Sequence, residues 1–282
     1  MDLTTYSDAA AFLARAQDWL EAHEAANGLM LGLTLRLRQF PERIRVTPYY
    51  ATVEDERGLV LAAVMTPPYR MILYGERSNA AAAIEPILND LEDNQWPLPG
   101  VLGPRAIALE AAELWSTRTG RPHHIGRRER IYELRRVNPL PPAPGRLRLA
   151  NMDELALAAE WTYAFQHDAG DLADRDTAQE MASQRIADRL LYLWDDGRPV
   201  SMCASSRPTA RSITVSLVYT PPALRRRGYA RSAVAALSQS LLDAGWQSCT
   251  LFTDLANPTS NHIYQEIGYA PVCDYDEYTF EP

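Results

Sequence analysis

The spacing of hydrophobic and polar residues follows the same order in both halves of the chain. In each half, stretches with apolar residues at helical spacing come first. Strand-like runs joined by a Glu-Arg-Gly or Asp-Asp-Gly turn follow, as in an antiparallel meander. The predicted helices cover 8–26 and 26–37 in the first half and 152–165 and 176–190 in the second; the meanders lie within 49–74 and 191–220, and a short strand covers 146–150.

Each meander is followed by the patterns of a helix, a strand, a helix and a strand. Gly245 and Gly268 follow the last two helices, as glycine commonly does at a helix C-terminus. The shared order predicts an α/β fold, of the α+β kind with a mixed sheet, and suggests two copies of one module. The remaining predicted elements are helices 80–91 and 105–117, strands 100–103 and 129–137, helices 228–244 and 259–267, and strands 248–253 and 269–280.

A proline-rich segment, Asn138–Gly145, separates the two halves. The fixed φ and the missing N–H of its prolines exclude a helix or a central strand. The chain has 282 residues, which exceeds the usual size of one domain. We therefore predict an N-terminal domain over 1–137, a linker over 138–145 and a C-terminal domain over 146–282.

The composition is that of a globular protein, because 46% of the residues are hydrophobic and 23% are charged. No apolar run approaches the length that spans a bilayer. The first residues, Met1–Asp8, are acidic and polar, whereas a signal peptide would be basic and then apolar. These features predict a cytoplasmic protein with no membrane partner.

All 28 basic residues are arginines, yet the net charge is −8. An acidic protein is a poor partner for nucleic acid, so any anion site must be local. The cysteines Cys203, Cys249 and Cys273 are odd in number and widely spaced, so the sequence predicts no metal site and suggests buried thiols.

One basic stretch stands where a predicted strand leads into a helix. After Val218-Tyr219 of this strand, the chain continues Thr220-Pro221-Pro-Ala-Leu-Arg225-Arg226-Arg227-Gly228-Tyr229-Ala230-Arg231. A helix start exposes N–H groups that have no intrahelical partner, and its dipole adds partial positive charge, so such a loop can hold a phosphate. Glycine allows a close approach to the backbone. The alternative is an ordinary turn with solvated arginines.

The stretch resembles the acetyl-CoA site of the GCN5-related N-acetyltransferase family, whose signature Gln/Arg-x-x-Gly-x-Gly/Ala matches Arg225, Gly228 and Ala230. That family also has an Asn followed by Tyr-x-x-x-Gly-Phe/Tyr, which matches Asn257 and the run from Tyr264 to Tyr269. The resemblance covers about 146–280. It implies two tandem acyl-CoA N-acyltransferase-like modules, of which the C-terminal one is catalytic and uses acetyl-CoA.

The resemblance also implies roles for individual residues. Tyr264 takes the position of the tyrosine that donates a proton or a hydrogen bond to the coenzyme A sulfur; the alternative is a packing aromatic. Asn261 resembles the asparagine that contacts the cofactor arm, with a surface or capping role as the alternative. The residues expected to bind the cofactor are Val218, Tyr219, Arg225, Arg226, Arg227, Gly228, Tyr229, Ala230, Arg231, Asn257, Asn261 and Tyr264.

The general base is not identifiable from the sequence, since Ser216 stands where a carboxylate is sometimes found. His167 is a candidate catalytic residue, because it follows the first helix of the C-terminal half, in a loop that borders the acceptor pocket in the family, and histidine titrates near neutrality. The nearby acidic residues would attract a cationic amine or, alternatively, serve as solvated and capping residues. They are Asp168, Asp171, Asp174 and Asp176, and the same two interpretations apply to Asp274, Asp276 and Glu277.

The N-terminal half has no comparable phosphate loop, because Tyr74-Gly-Glu-Arg-Ser places a glutamate at that point. It is interpreted as a degenerate copy of the module, with an unrelated α/β domain as the alternative. The leading hypothesis is an acetyl-CoA-dependent N-acetyltransferase that acts on an amine of a small molecule or peptide by direct attack in a ternary complex. Alternatives are a non-catalytic acyl-CoA sensor or scaffold, a longer acyl group, or a mycothiol-type precursor as acceptor. A homodimer is among the oligomeric states left open.

Overall fold

A computed structural model describes residues 1–43, 46–76, 79–170 and 174–281, with the side chain of Arg43 excepted. The chain forms two compact units that alternate along the sequence. The first unit comprises Met1–Tyr132, Phe252–Asn257 and Pro271–Pro282, and the second comprises Glu133–Leu251 and Pro258–Ala270.

Helices and strands occur in the same order twice, as the hydrophobic pattern predicts. Each copy begins with a strand and two helices, continues with three strands, and ends with helix, strand, helix and strand. The first copy has strands β1 (Asp2–Thr5), β2 (Tyr49–Asp55), β3 (Gly58–Met65), β4 (Met71–Gly75), β5 (Gly100–Pro104) and β6 (His123–Leu134), with helices α1 (Ala9–Ala22), α2 (Glu24–Gln39), α3 (Ala80–Asp93) and α4 (Arg105–Thr119).

The second copy repeats this order with its own elements, so the predicted α/β fold with a mixed sheet and two modules is confirmed. Its strands are β7 (Arg146–Leu149), β8 (Leu191–Asp195), β9 (Pro199–Ser206), β10 (Ser212–Tyr219), β11 (Ser248–Asp254) and β12 (Ala270–Phe280), and its helices are α5 (Leu155–Asp168), α6 (Arg175–Ala187), α7 (Tyr229–Asp243) and α8 (Pro258–Ile267).

The first unit buries both faces of its sheet, whose strand order is β1-β2-β3-β4-β5-β12-β6. Along β3, Ala62 and Val64 pack with residues of α1 and α2, while Ala63 and Met65 pack with residues of α3 and α4. Successive side chains of a strand point to opposite faces, which explains why β3 is apolar throughout. Neighbouring strands are antiparallel from β1 to β4, and β4 pairs with β5 in parallel.

The last strand of the chain, β12, belongs to this first unit. It pairs antiparallel with β5 through the register Tyr275↔Pro104 to Thr279↔Gly100. Tyr278 and Phe280 are 3% and 4% exposed within the core that α3 and α4 cover. The sequence does not show which strand pairs with this tail. In the structure, the tail joins the sheet that contains β1.

Acidic residues of β12 form ion pairs inside the first unit. Arg105 lies 2.9 Å from Asp274 and 3.0 Å from Asp276, and Arg130 lies 2.6 Å from Asp274. These arginines hold the pKa of the Asp274 carboxyl below its usual range, Arg130 contributing most. Glu277 pairs with Arg70 at 3.0 Å. The acidic tail residues are therefore engaged with arginines, and their role in attracting a cationic amine stays a prediction.

In the second unit, the strand order is β11-β10-β9-β8-β7. Met202 and Ala204 of β9 pack in the core with residues of α5 and α6, whereas the Cys203 thiol faces α7 and lies 3.9 Å from the Ala233 carbonyl oxygen. Helix α7 runs from Tyr229 to Asp243 and Gly245 follows it with φ 103°, close to the predicted bounds. Helices therefore cover both faces of this sheet as well.

The proline-rich segment is held against the second unit by hydrogen bonds. Asn138 donates from its backbone to the Ile267 carbonyl at 2.8 Å, and Ala143 donates to the Ser232 hydroxyl at 2.8 Å. The indole of Trp194 donates to the Pro144 carbonyl at 2.8 Å. The segment lacks a helix or a strand, as its prolines require. The division into a domain over 1–137, a linker over 138–145 and a domain over 146–282 stays a prediction.

The cysteines are free thiols. Cys203 and Cys249 are buried, as expected, whereas Cys273 is only partly buried, because it lies in the half-exposed start of β12. Burial raises the pKa of the Cys249 thiol to about 12 and that of Cys273 to about 11, so both stay protonated near neutral pH. Within the described ranges, no helix combines the length and apolar character needed to cross a membrane.

Candidate functional site

Strand β10 of the second unit contains a β-bulge near its C-terminal end. Ser216 pairs with Ala204 and Tyr219 with Met202, so β10 has two residues where β9 has one. Leu217 accommodates the extra residue with a φ of 53°, a backbone conformation that residues other than glycine rarely adopt. A bulge leaves backbone groups outside the ladder. Here they are the groups of Leu217 and Val218, and Val218 is one of the residues that the resemblance implies in cofactor binding.

The parallel pairing of β10 with β11 is short. Its register covers three pairs and ends at Thr214↔Thr250, although β10 continues to Tyr219. The edge of β10 that faces β11 is thus released from the ladder over the same stretch that contains the bulge. Backbone N–H and C=O groups released in this way are available to a ligand.

The loop between β10 and α7 has the backbone geometry of an anion cradle. A short 3-10 turn over Pro222–Leu224 precedes it, and Arg226 and Gly228 both have positive φ, 65° and 78°. Gly228 is the N-cap of α7, and no side chain caps the helix. The first helical hydrogen bond runs from Ser232 N–H to the Gly228 carbonyl at 3.0 Å. The N–H groups of the first turn and the helix dipole therefore favour an anion here.

A Cβ at Gly228 would fit against its neighbours without a clash. A Cβ built there would lie 3.7 Å from the Ala143 Cβ and 3.9 Å from the Arg231 guanidinium, both ordinary contact distances. The requirement for glycine is therefore the left-handed φ rather than a lack of room.

The four arginines of the motif differ in their surroundings. Arg225 donates from Nε to the Thr220 carbonyl at 2.9 Å and from a terminal nitrogen to Asp168 at 2.6 Å. Arg226 and Arg227 are exposed at the loop. Arg231 is directed to the proline-rich segment, where it donates to the Pro141 carbonyl at 3.3 Å, and it lies 3.5 Å from Glu266. Arg225, Arg226 and Arg227 are thus all exposed, and Arg225 is the one of these three that is paired with Asp168.

Tyr229 anchors the first turn of α7 to the sheet. Its hydroxyl donates to the Asp196 carboxylate at 2.9 Å, and its ring is 7% exposed. Asp196 lies in the turn between β8 and β9, which the sequence shows as Asp-Asp-Gly. The side chain is thus engaged in the fold, so any contact of Tyr229 with a cofactor falls to its backbone. The neighbouring Ala230 is partly exposed and small.

Tyr264 is buried in α8, with 8% of its surface exposed. Its ring packs edge-on against Tyr269 at 6.0 Å between centroids. Burial, with a smaller contribution from Cys203, raises the pKa of the Tyr264 hydroxyl well above its usual range, so the phenol stays protonated. The Tyr269 hydroxyl, by contrast, forms a hydrogen bond with the Ser238 hydroxyl at 2.8 Å.

The two asparagines predicted to bind the cofactor lie in different units. Asn261 is one turn before Tyr264 on α8, in the second unit, and is partly exposed. Asn257 ends the segment Phe252–Asn257 of the first unit, where its N–H donates to the Asp254 carbonyl at 3.0 Å. Asn261 therefore shares a helix face with Tyr264, as the spacing predicts.

His167 and Asp168 form the last turn of α5, where the sequence analysis expected a loop. The helix continues because Ala169 and Gly170 donate to the Phe165 and His167 carbonyls, which closes its final turn. The His167 side chain is exposed.

The remaining acidic residues of this region lie in different environments. Asp174 caps α6 by accepting from the Thr177 N–H at 2.7 Å, which is the capping alternative. Asp176 is exposed in the first turn of α6, and Asp171 lies outside the described residues. Asp168 contacts Arg225, so the structure joins the predicted acidic region to the phosphate motif through this pair.

Two contributors to the site escaped the sequence analysis. Leu217 contributes through the backbone of the bulge, so its residue type gives no indication of this role. Ser232 fixes the proline-rich segment beside the start of α7, and its position four residues after Gly228 on a buried helix face was the only available hint.

The first unit lacks these features at the corresponding strand, β4. The β3–β4 register runs without a shift from Leu61↔Gly75 to Val64↔Ile72. A Cβ on Gly103 of β5 would lie 2.6 Å from the Leu73 carbonyl oxygen, so β4 and β5 approach closely. The Glu76 carboxylate, which accepts from the Tyr74 hydroxyl at 2.9 Å, adds negative charge at this strand end. Arg77 of the interpreted loop lies outside the described residues.

Known proteins with the same architecture are numerous. Residues 196–278 match the family described as FR47-like protein. No curated protein matches the chain. An acetyltransferase of the GNAT family from Colwellia psychrerythraea is 11% identical, with a TM-score of 0.60 over 100% of both chains. A GCN5-related N-acetyltransferase from Sphaerobacter thermophilus is 17% identical, with a TM-score of 0.63 over 99% of this chain and 95% of that one.

A third structure has the tandem arrangement itself. It is a tandem GNAT protein from the clavulanic acid biosynthesis pathway, 13% identical, with a TM-score of 0.55 over 99% of this chain and 98% of the other. The protein therefore has the tandem fold of the GCN5-related N-acetyltransferases. The resemblance found in the motif around Gly228 is confirmed at the level of the fold and by the FR47-like region that contains this motif.

Proposed function

We propose that the protein is an acetyl-CoA-dependent N-acyltransferase that transfers an acetyl group to an amine of a small molecule or peptide. The observation that carries this proposal is the combination, within the second unit, of the uncapped α7 start behind Gly228 and the bulge that releases β10. One fold can host many activities. The proposal therefore rests on the site and not on the fold alone.

The residues of this site suit the parts of coenzyme A. The diphosphate needs N–H donors and positive charge, which the first turn of α7 with Arg226 and Arg227 would supply. The pantetheine arm carries amide groups, which match the backbone groups released near Val218 of β10. When bound, the cofactor supplies an acyl group activated as a thioester.

The chain's own contribution to transfer is positioning and proton control. The backbone N–H groups at the bulge would stabilise negative charge on the carbonyl oxygen. Tyr264 would hold its proton on the phenol oxygen and donate a hydrogen bond to the departing sulfur. Direct attack by the amine requires its neutral form, and the proton that the nitrogen loses passes to solvent.

Calorimetry with coenzyme A and a thiol-release assay with a panel of amines test the proposal together. We expect the protein to bind coenzyme A. We also expect it to release thiol only when acetyl-CoA and an amine are both present. Binding with no turnover on any amine would indicate an acyl-CoA sensor instead. Absence of any binding would remove the proposal.

Substitution Tyr264→Phe should lower kcat about 100-fold, because the hydrogen-bond donor to the sulfur is lost. Affinity for coenzyme A should change little, since the ring remains. Because the pKa of Tyr264 is raised, the wild-type rate should not decline on the alkaline side before about pH 10, the ordinary pKa of tyrosine. Steady-state kinetics and calorimetry measure these quantities.

Tyr269→Phe is the matched control. It removes the hydroxyl that pairs with Ser238 and should cost about 1 kcal/mol of stability while kcat stays the same. A Tyr264→Phe variant with wild-type kcat would show that this tyrosine serves packing alone.

A further inference from the structure

The first arginine of the phosphate motif forms an ion pair with the end of α5. Arg225 lies 2.6 Å from the Asp168 carboxylate, and the two side chains are 47% and 49% exposed. The Nε of the same guanidinium donates to the Thr220 carbonyl, and the guanidinium carbon lies 5.9 Å from the centre of the Tyr219 ring. The arginine is thus held by groups of α5 and of the chain just after β10.

Asp168 is in an electrostatically unfavourable place without this partner. It is the last residue of α5, and the C-terminal end of a helix carries partial negative charge. Arg225 offsets both charges. A carboxylate and a diphosphate are, however, alternative acceptors for the same guanidinium fork.

We propose that Asp168 is a positioning residue that competes with the diphosphate of coenzyme A for Arg225. In the free protein it draws Arg225 toward α5, and in the complex the arginine turns to the diphosphate. The carboxylate at the end of α5 then loses its partner and attracts a cationic acceptor amine. This inference rests on the proposed function and adds a reason for the cofactor to bind first.

Calorimetry on Asp168→Asn tests the competition. The variant keeps the shape of the side chain and removes its charge, so coenzyme A should bind about two- to fivefold more tightly, the range expected for an exposed ion pair. Dephospho-coenzyme A keeps the diphosphate and should show the same gain. The gain should shrink as salt is raised from 0.05 to about 0.5 M, because exposed charges are screened.

Two further variants serve as controls. Asp168→Glu keeps the charge and should restore wild-type affinity. Asp176→Asn makes the same change in net charge at an exposed residue of α6 and should leave the affinity for coenzyme A unchanged. For the amine that turns over fastest in the panel, Asp168→Asn should raise KM severalfold and leave kcat unchanged.

The outcomes separate this inference from the proposed function. Failure of the wild-type protein to bind coenzyme A overturns both. Normal wild-type binding with an unchanged or weaker affinity in Asp168→Asn overturns the competition alone and shows that the ion pair only orders Arg225. A gain of equal size in Asp176→Asn would also overturn it, since the effect would then be one of net charge.

Discussion

Replacing Gly228 with glutamate should abolish binding of coenzyme A while the fold stays intact. A carboxylate at the N-cap of α7 would place negative charge where the diphosphate is expected, and like charges in contact cost several kcal/mol, more than a hundredfold in affinity. The φ of 78° at this position adds about 1–2 kcal/mol of backbone strain for any residue with a Cβ. A Cβ at this position would make only ordinary contacts, with Ala143 and Arg231, so the substitution brings no clash at the Cβ. Calorimetry and thermal melting measure the two effects.

Gly228→Ala and Gly245→Glu separate charge from strain. Gly228→Ala introduces the strain without the charge and should weaken binding only modestly. Gly245 follows the other end of α7, with φ 103° and no atom within 4 Å of a built Cβ, so Gly245→Glu matches both changes away from the proposed site. Unchanged affinity in Gly228→Glu, or an equal loss in Gly245→Glu, would count against the diphosphate site.

Phe280→Ala should destabilise the first unit by about 3–5 kcal/mol, although Phe280 is almost the last residue of the chain. The side chain is 4% exposed and packs in the same core as Trp115, whose ring centroid lies 6.2 Å away. Its loss leaves a cavity beneath α4. Urea unfolding followed by tryptophan fluorescence measures the change.

Val272→Ala provides the comparison within the same strand. Val272 is 41% exposed, so its truncation should change the free energy of unfolding by no more than about 0.5 kcal/mol. If both variants changed the free energy of unfolding by the same small amount, β12 would not be an integral strand of the first unit.

The hydrophobic pattern was sufficient for most elements, because local periodicity determines them. The continuous apolar run of β3 and the glycines around α7 predicted those elements almost to their ends. Strand β1 was missed, since Asp2–Thr5 is four residues long and mostly polar. Strand β6 begins at His123, earlier than predicted, because its basic first half carries no apolar alternation.

The neighbours of a strand were beyond the reach of the sequence. The alternation in β12 shows a strand but does not show that β5 pairs with it. That pairing depends on residues far apart in the sequence, such as Tyr275 and Pro104, which are 275 − 104 = 171 residues apart. The candidate site was predictable where it depends on motif residues such as Gly228 and Tyr264. The bulge at Leu217 and the pairing of Asp168 with Arg225 depend on tertiary geometry and left no local signal.

The placement of β12 has a consequence for how the protein is made. A ribosome delivers the chain from its N-terminus, so the first unit receives β12 only after the elements of the second copy from β7 to α8 have been made. Until then the flank of β5 presents bare N–H and C=O groups, which invite association with other nascent chains. A chain halted before Ala270 would therefore leave the sheet of the earliest-made half without the strand between β5 and β6.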